Sequence, residues 1–271
     1  MWERALPTRV GVLLLAMGLG STRVASALLI NVDFNATNSG ATGGYPGDIG
    51  PGVVGGSSYF NSLGLGPRLT SLGPYTSPQL VASDGTTTTT VTVSLSNHGD
   101  YDTKLDSNEG EFVAGRPLFN DYAYDVQTNT TNFPAGNSPV PFSIAGLVNG
   151  GIYDLYVFSQ NGGYNSSTTV FTIGAMSKTV TNDTSDAQGP TGFVQTRNYE
   201  VFPGLIATGG TISGSFVTGK AGNAGAFNGF QIMQVPEPAS FGLFAVGLVG
   251  MALLVRRRQL IAFSIRTDER P

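Results

Sequence analysis

Thr86-Thr87-Thr88-Thr89-Thr90-Val91-Thr92-Val93-Ser94-Leu95-Ser96 alternates with a period of two. Thr88, Thr90, Thr92, Ser94 and Ser96 fall on one side of an extended chain; Thr87, Thr89, Val91, Val93 and Leu95 fall on the other. β-Branched residues in that pattern predict a strand over 86–96 with one wet face. Similar runs recur at Leu28–Phe34, Leu118–Val126, Val140–Leu147, Gly151–Gln160, Thr168–Ile173, Lys178–Thr181, Tyr199–Ile206, Thr211–Val217 and Phe227–Val235. Turn signals separate them, among them Asn149-Gly150-Gly151 and Asn161-Gly162-Gly163. In Leu28–Phe34 the apolar residues Leu28, Ile30, Val32 and Phe34 alternate with Leu29, Asn31 and Asp33, which predicts a half-buried strand. Many short strands without an amphipathic helix predict an all-β fold, an antiparallel β-sandwich over 28–234. No fixed repeat supports a parallel β-helix.

Composition agrees. The 271 residues include 38 glycines, and only 12% are charged. A disordered polar linker is the alternative, since Gly/Ser-rich chains of low charge are flexible. Recurrent aromatic and β-branched residues oppose it, and Tyr59-Phe60 marks a buried anchor inside the Gly/Pro-rich stretch 35–78. Eight of the 14 basic residues lie at the two ends. Six basic and 14 acidic residues remain in between, giving about −8, which disfavours nucleic acid as a partner. Cysteine is absent, so disulfides, thiolate metal sites and cysteine nucleophiles are excluded. His98 is the single histidine, so no site uses two imidazoles.

Residues 1–27 have the form of a secretory signal. Arg4 and Arg9 precede the apolar run Val10–Gly20, and Ala25-Ser26-Ala27 offers small residues at the positions a signal peptidase accepts. Cleavage after Ala27 is expected; an uncleaved anchor is the alternative, because Arg23 follows the apolar run.

The other end is more specific. Pro236-Glu237-Pro238 holds a carboxylate on an extended, helix-incompatible stretch. Ala239–Val255 follows, 17 residues without a charge, then Arg256, Arg257 and Arg258. A transmembrane helix over 239–255 is expected, its arginines cytoplasmic and Pro236-Glu237-Pro238 outside, with 259–271 as a cytoplasmic tail. A buried core helix ending in basic residues is the alternative.

Val235–Arg258 resembles the PEP-CTERM sorting segment of exported bacterial proteins, which also carries the label of an ice-binding protein C-terminal domain. The resemblance rests on Pro236, Glu237 and Pro238, the apolar run, and Arg256, Arg257 and Arg258. It implies recognition by an exosortase in the membrane, cleavage near the motif, and passage of the cargo to the cell surface or a polysaccharide matrix. Such segments usually stop soon after the arginines, whereas this chain continues for 13 residues. More loosely, Ile30–Phe34, Gly151–Phe158 and Asn228–Ile232 look like exported β-sandwich cargo, some of it similar to galactose-binding-like jelly rolls.

Three local clusters invite chemistry. Asp100, Asp102, Asp106, Asn108, Glu109 and Glu111 form an acidic loop with oxygen ligands suited to Ca²⁺, but Lys104 and Leu105 break the EF-hand spacing. A solvated acidic loop is the favoured reading, and no cofactor is expected. Tyr153, Tyr156 and Phe158, with Gln160, Asn161, Tyr164 and Asn165, could stack on a sugar, although half of a two-faced strand must be core. His98 and Asp100 could form an acid–base pair, but no nucleophile elbow accompanies them. The expected protein is therefore a non-enzymatic surface or matrix protein associated with exopolysaccharide. The alternatives are a carbohydrate-binding module, a secreted glycoside hydrolase, and an ice-binding protein using the threonine run.

Overall fold

A computed structural model describes residues 27–35, 49–65, 74–96, 98–102, 117–119, 121–125, 138–160, 167–181, 192–219 and 225–236. In chain order the strands are β1 Leu29–Asn35, β2 Ile49–Pro51, β3 Ser57–Tyr59, β4 Asn61–Gly64, β5 Tyr75–Thr76 and β6 Thr92–Leu95. They continue with β7 Gly99–Asp102, β8 Asp121–Tyr124, β9 Val140–Ala145, β10 Ile152–Phe158 and β11 Thr168–Ile173. The last five are β12 Met176–Thr181, β13 Tyr199–Ile206, β14 Ile212–Thr218, β15 Ala226–Phe227 and β16 Gly229–Gln234. Among the described residues the one helical element is a 3-10 turn at Pro117–Phe119.

Two sheets dominate. One has the order β13-β10-β16-β1-β4, the other β12-β11-β14-β9-β6-β5; β15-β8-β7 and β2-β3 form smaller sheets. The pairing is antiparallel as expected, with one correction: β1 and β4 run parallel, Val32 opposite Asn61. Ile30, Val32, Phe34, Leu155, Val157, Phe230 and Ile232 from the first sheet share one core with Val93, Phe142, Ile144, Phe171 and Phe216 from the second. Phe227 on β15 joins them. Its ring meets Phe34 at 5.0 Å and Phe230 at 6.4 Å on one side, and Phe142 at 5.2 Å, Phe171 at 5.1 Å and Phe216 at 5.2 Å on the other. Each such pair adds about 0.5–1.5 kcal/mol to the burial term.

Buried polar groups hold Phe227 there. The Asp125 carboxylate accepts the Gly225 and Thr218 N–H groups at 2.6 and 3.0 Å, and Thr169 Oγ1 accepts Ala226 N–H at 2.9 Å. At one side the edge strands β12 and β13, from different sheets, are joined by Lys178 Nζ and Glu200 Oε2 at 3.5 Å. A second apolar cluster, Phe60, Leu118, Phe119 and Phe158 with Phe193, lies apart from the shared core.

Three expectations are corrected. Only 92–95 of the 86–96 run is strand. Upstream, Thr87 Oγ1 donates to Asp84, Thr89 Oγ1 to Leu80 O and Thr90 Oγ1 to Gly146 O, so these hydroxyls bind the protein in turns rather than forming a flat rank. Leu118-Phe119 is in the 3-10 turn, and the strand expected there starts at Asp121. β1 is buried on both faces: on its polar side Asn31, Asp33 and Asn35 are all buried, with Asn31 bonded to Ser58 and Tyr59 of the 52–60 stretch and Asn35 to Ser62 of β4.

Candidate functional site

β16 is the last of the described strands and the middle strand of its sheet. It pairs with β1 on one side, Leu29 opposite Met233, and with β10 on the other, Tyr153 opposite Gln234. Extended geometry at Gly229–Gln234 follows from Phe230 and Ile232 facing the core while Gln231 faces the opposite side. The strand closes at its C-terminal end with two backbone bonds, Gln234 N–H to Leu28 O and Val235 N–H to Ile152 O, both 2.8 Å. The described chain then ends at the exposed Pro236.

The two ends of the folded domain therefore leave it side by side. Ala27 and Leu28 enter β1 where Gln234 and Val235 leave β16. Around this exit end lie two connections between the large sheets, 146–151 and 207–211, tied by Leu147 N–H to Gly210 O at 3.0 Å and Gly150 N–H to Ala207 O at 2.8 Å. Val148, Ile152 and Ile206 are exposed there.

On the other side of β16, Gln231 is the hub of a buried amide network that the sequence reading missed. Its Oε1 accepts Val53 N–H at 2.7 Å and Val54 N–H at 3.2 Å; its Nε2 donates to Asn31 Oδ1 at 2.8 Å and Val54 O at 3.0 Å. Asn31 Nδ2 donates to Ser58 Oγ at 2.9 Å and Tyr59 O at 2.7 Å. Asn61 Nδ2 donates to Asn31 O and Val81 O, and its Oδ1 accepts Val81 N–H. Amides serve here because each offers donor and acceptor without charge, and both are used on backbone groups. The network fastens 52–60 over the sheet.

Of the expected cleavage and sorting residues, Ala27 and Pro236 are described, at the two neighbouring chain ends. Ala25, Glu237, Pro238, Arg256, Arg257 and Arg258 lie outside the described residues, as do 1–26, the 239–255 run and the 259–271 tail. Among the described residues no helix is long and apolar enough to cross a membrane. Asp100 and Asp102 occupy β7, where Asp100 is opposite Ala123 and Asp102 opposite Asp121, so this half of the acidic stretch is paired strand rather than loop. Asp106, Asn108, Glu109 and Glu111 lie outside the described residues. Among the described residues, no three His, Asp or Glu side chains come together as metal ligands.

The aromatic group splits. Tyr153 and Phe158 are core, Gln160 is buried with its N–H on Asn228 Oδ1 at 2.6 Å, and Tyr156 is half-buried. Burial, then the Asp154 carboxylate and Tyr199, push the Tyr156 phenol above its ordinary value. Asn161, Tyr164 and Asn165 lie outside the described residues. His98 is buried, its Nδ1 is 2.7 Å from Ser96 O, and the Tyr75 ring meets it edge-on at 6.4 Å. Burial pushes its pKa below 6.5. A neutral imidazole committed to a backbone carbonyl is a core residue.

Searches of curated proteins and of solved structures each found no match. Residues 234–258, from the last residue of β16 to the third arginine, match the family model of the PEP-CTERM protein-sorting motif, which implies an exported protein that an exosortase processes and sorts to the cell surface.

Proposed function

We propose that the chain is a non-enzymatic surface or matrix protein: a β-sandwich cargo over 28–234, delivered by a device that begins at Val235. One observation carries this reading. β16 is complete at Gln234, in the middle of its sheet, and the sorting motif starts on that same residue. Every described strand precedes Val235, so cleavage beyond it leaves all of them in place. β1 likewise starts at Leu29, so removal of 1–27 by a signal peptidase costs none of the described strands.

In this reading 239–255 spans the membrane until an exosortase cuts near Pro236-Glu237-Pro238, and the released domain joins extracellular polysaccharide. The matrix partnership is supported by a cargo rich in Thr, Ser and Asn, whose hydroxyls and amides suit neutral sugars. The folded domain's histidine is committed to the core, which favours a structural over a catalytic role. Deleting the exosortase gene tests the proposal. Full-length chain accumulating in the membrane fraction, with surface protein lost, is expected. Identical size and location in both strains overturns it.

A further inference from the structure

We propose that the exit end of the β domain seats on the surface of a phospholipid bilayer through Val148, Ile152 and Ile206. This rests on the reading that 239–255 spans the membrane. Ile152 and Ile206 are opposite each other on β10 and β13, and residues paired in register point to the same face. They are 41% and 63% exposed, and Val148, in the turn just before β10, is 59% exposed. These are three of the four exposed large apolar residues among the described residues; Val194, the fourth, precedes β13 at its far end.

The chain's own path names the occupant. Val235 is bonded to Ile152 O, and three residues, Pro236, Glu237 and Pro238, separate it from the apolar run at Ala239. Extended, that leash spans at most about 14 Å. The headgroup layer of one leaflet is itself roughly 5–8 Å deep. The exit end is thus held against the interface for as long as the apolar run stays in the bilayer. A tether this short gives a high effective concentration, so even a small apolar patch is engaged.

Its composition fits. The stretches 146–152, 206–212 and 233–236 contain no charged residue, so contact strips no ion of water. The nearest described carboxylate is Asp154, two residues along β10 from Ile152 and on the same face; its Oδ1 accepts Gly204 N–H at 2.8 Å, and no cation accompanies the patch in these stretches. Contact should therefore need no anionic lipid and should persist in high salt.

The test places one tryptophan at a time in the full chain carrying Trp2→Phe, reconstituted in phosphatidylcholine vesicles with bromine-labelled lipids. Ile206→Trp reports the seat, Thr181→Trp the exposed opposite end, and Phe244→Trp the apolar run. The expected result is strong quenching of Phe244→Trp, and Ile206→Trp blue-shifted and quenched several-fold more than Thr181→Trp. Quenching of Phe244→Trp with equal, weak quenching at 206 and 181 overturns the seat and leaves the membrane span standing. An unquenched Phe244→Trp removes the span, and the seat with it. A blue-shifted but unquenched Ile206→Trp means that a second protein copy covers the patch, which also overturns the seat.

Discussion

The rings of Phe34 and Phe227 meet edge-on at 5.0 Å, 77° apart, and so tie the first strand of the domain to a two-residue strand almost 200 positions later. Phe227 makes equivalent contacts with rings of both large sheets and is fully buried. Phe227→Ala should lower unfolding stability by about 3–5 kcal/mol. Urea unfolding followed by near-UV circular dichroism checks this. A loss below about 1 kcal/mol, the range of ordinary surface changes, would contradict the keystone role.

Gln231→Met keeps the volume of the side chain but strips partners from Val53 N–H, Val54 N–H and Asn31 Oδ1. Each buried group left unpaired costs about 1–3 kcal/mol. The damage should be local first. Amide exchange should accelerate across 52–60 before it does in β9 or β14. Uniform acceleration would mean that the network holds the whole fold rather than its cover.

Acid should weaken the protein in two separate windows. The folded state holds His98 below 6.5, so between that value and the lower folded pKa the unfolded chain binds more protons. Stability is full above pH 6.5 and falls as pH drops below it. Asp84 behaves differently: Thr87 Oγ1, then the Thr87 and Thr86 N–H groups, bring its pKa down to about 2. Its contribution is present above 3.8 and fades as pH falls toward 2. His98→Phe should remove only the upper window, measured as thermal midpoint against pH. An unchanged slope between pH 6.5 and 5 would show that His98 is not its source.

Gly146 and Gly174 both have positive φ, +80° and +57°. A side chain at 174 meets nothing, whereas at 146 it collides with the Thr90 carbonyl, the region that Thr90 Oγ1 also ties down. Gly174→Ala should cost the backbone term alone, about 1–2 kcal/mol. Gly146→Ala should cost clearly more, read as a lower urea midpoint. Equal midpoints would mean that the 86–91 turn moves freely away from β9.

The strands were legible where side chains alternate against one core. Val140–Leu147 and Tyr199–Ile206 show this, and β9 and β13 fall on them. The threonine run misled because β propensity cannot distinguish a threonine in a ladder from one whose hydroxyl bonds a turn, as Thr87, Thr89 and Thr90 do. The polar face of β1 looked wet because nothing local marks 52–60 as its lid; the bonds from Gln231 to Val53 and Val54 span about 180 residues. The sorting motif was legible because its order of proline, carboxylate, apolar run and arginines is carried by neighbours in sequence. That it starts on the last residue of a central strand is a fact of pairing, which only the fold supplies.

The most direct measurement is the intact mass, with terminal sequencing, of the protein recovered from the surface of cells that carry an exosortase. A single species starting at Leu28 and ending between Val235 and Pro238, every strand retained, is the predicted result. A surface form that still includes Arg256, Arg257 and Arg258, or one cut upstream of Gly229 so that β16 is lost, would contradict the account.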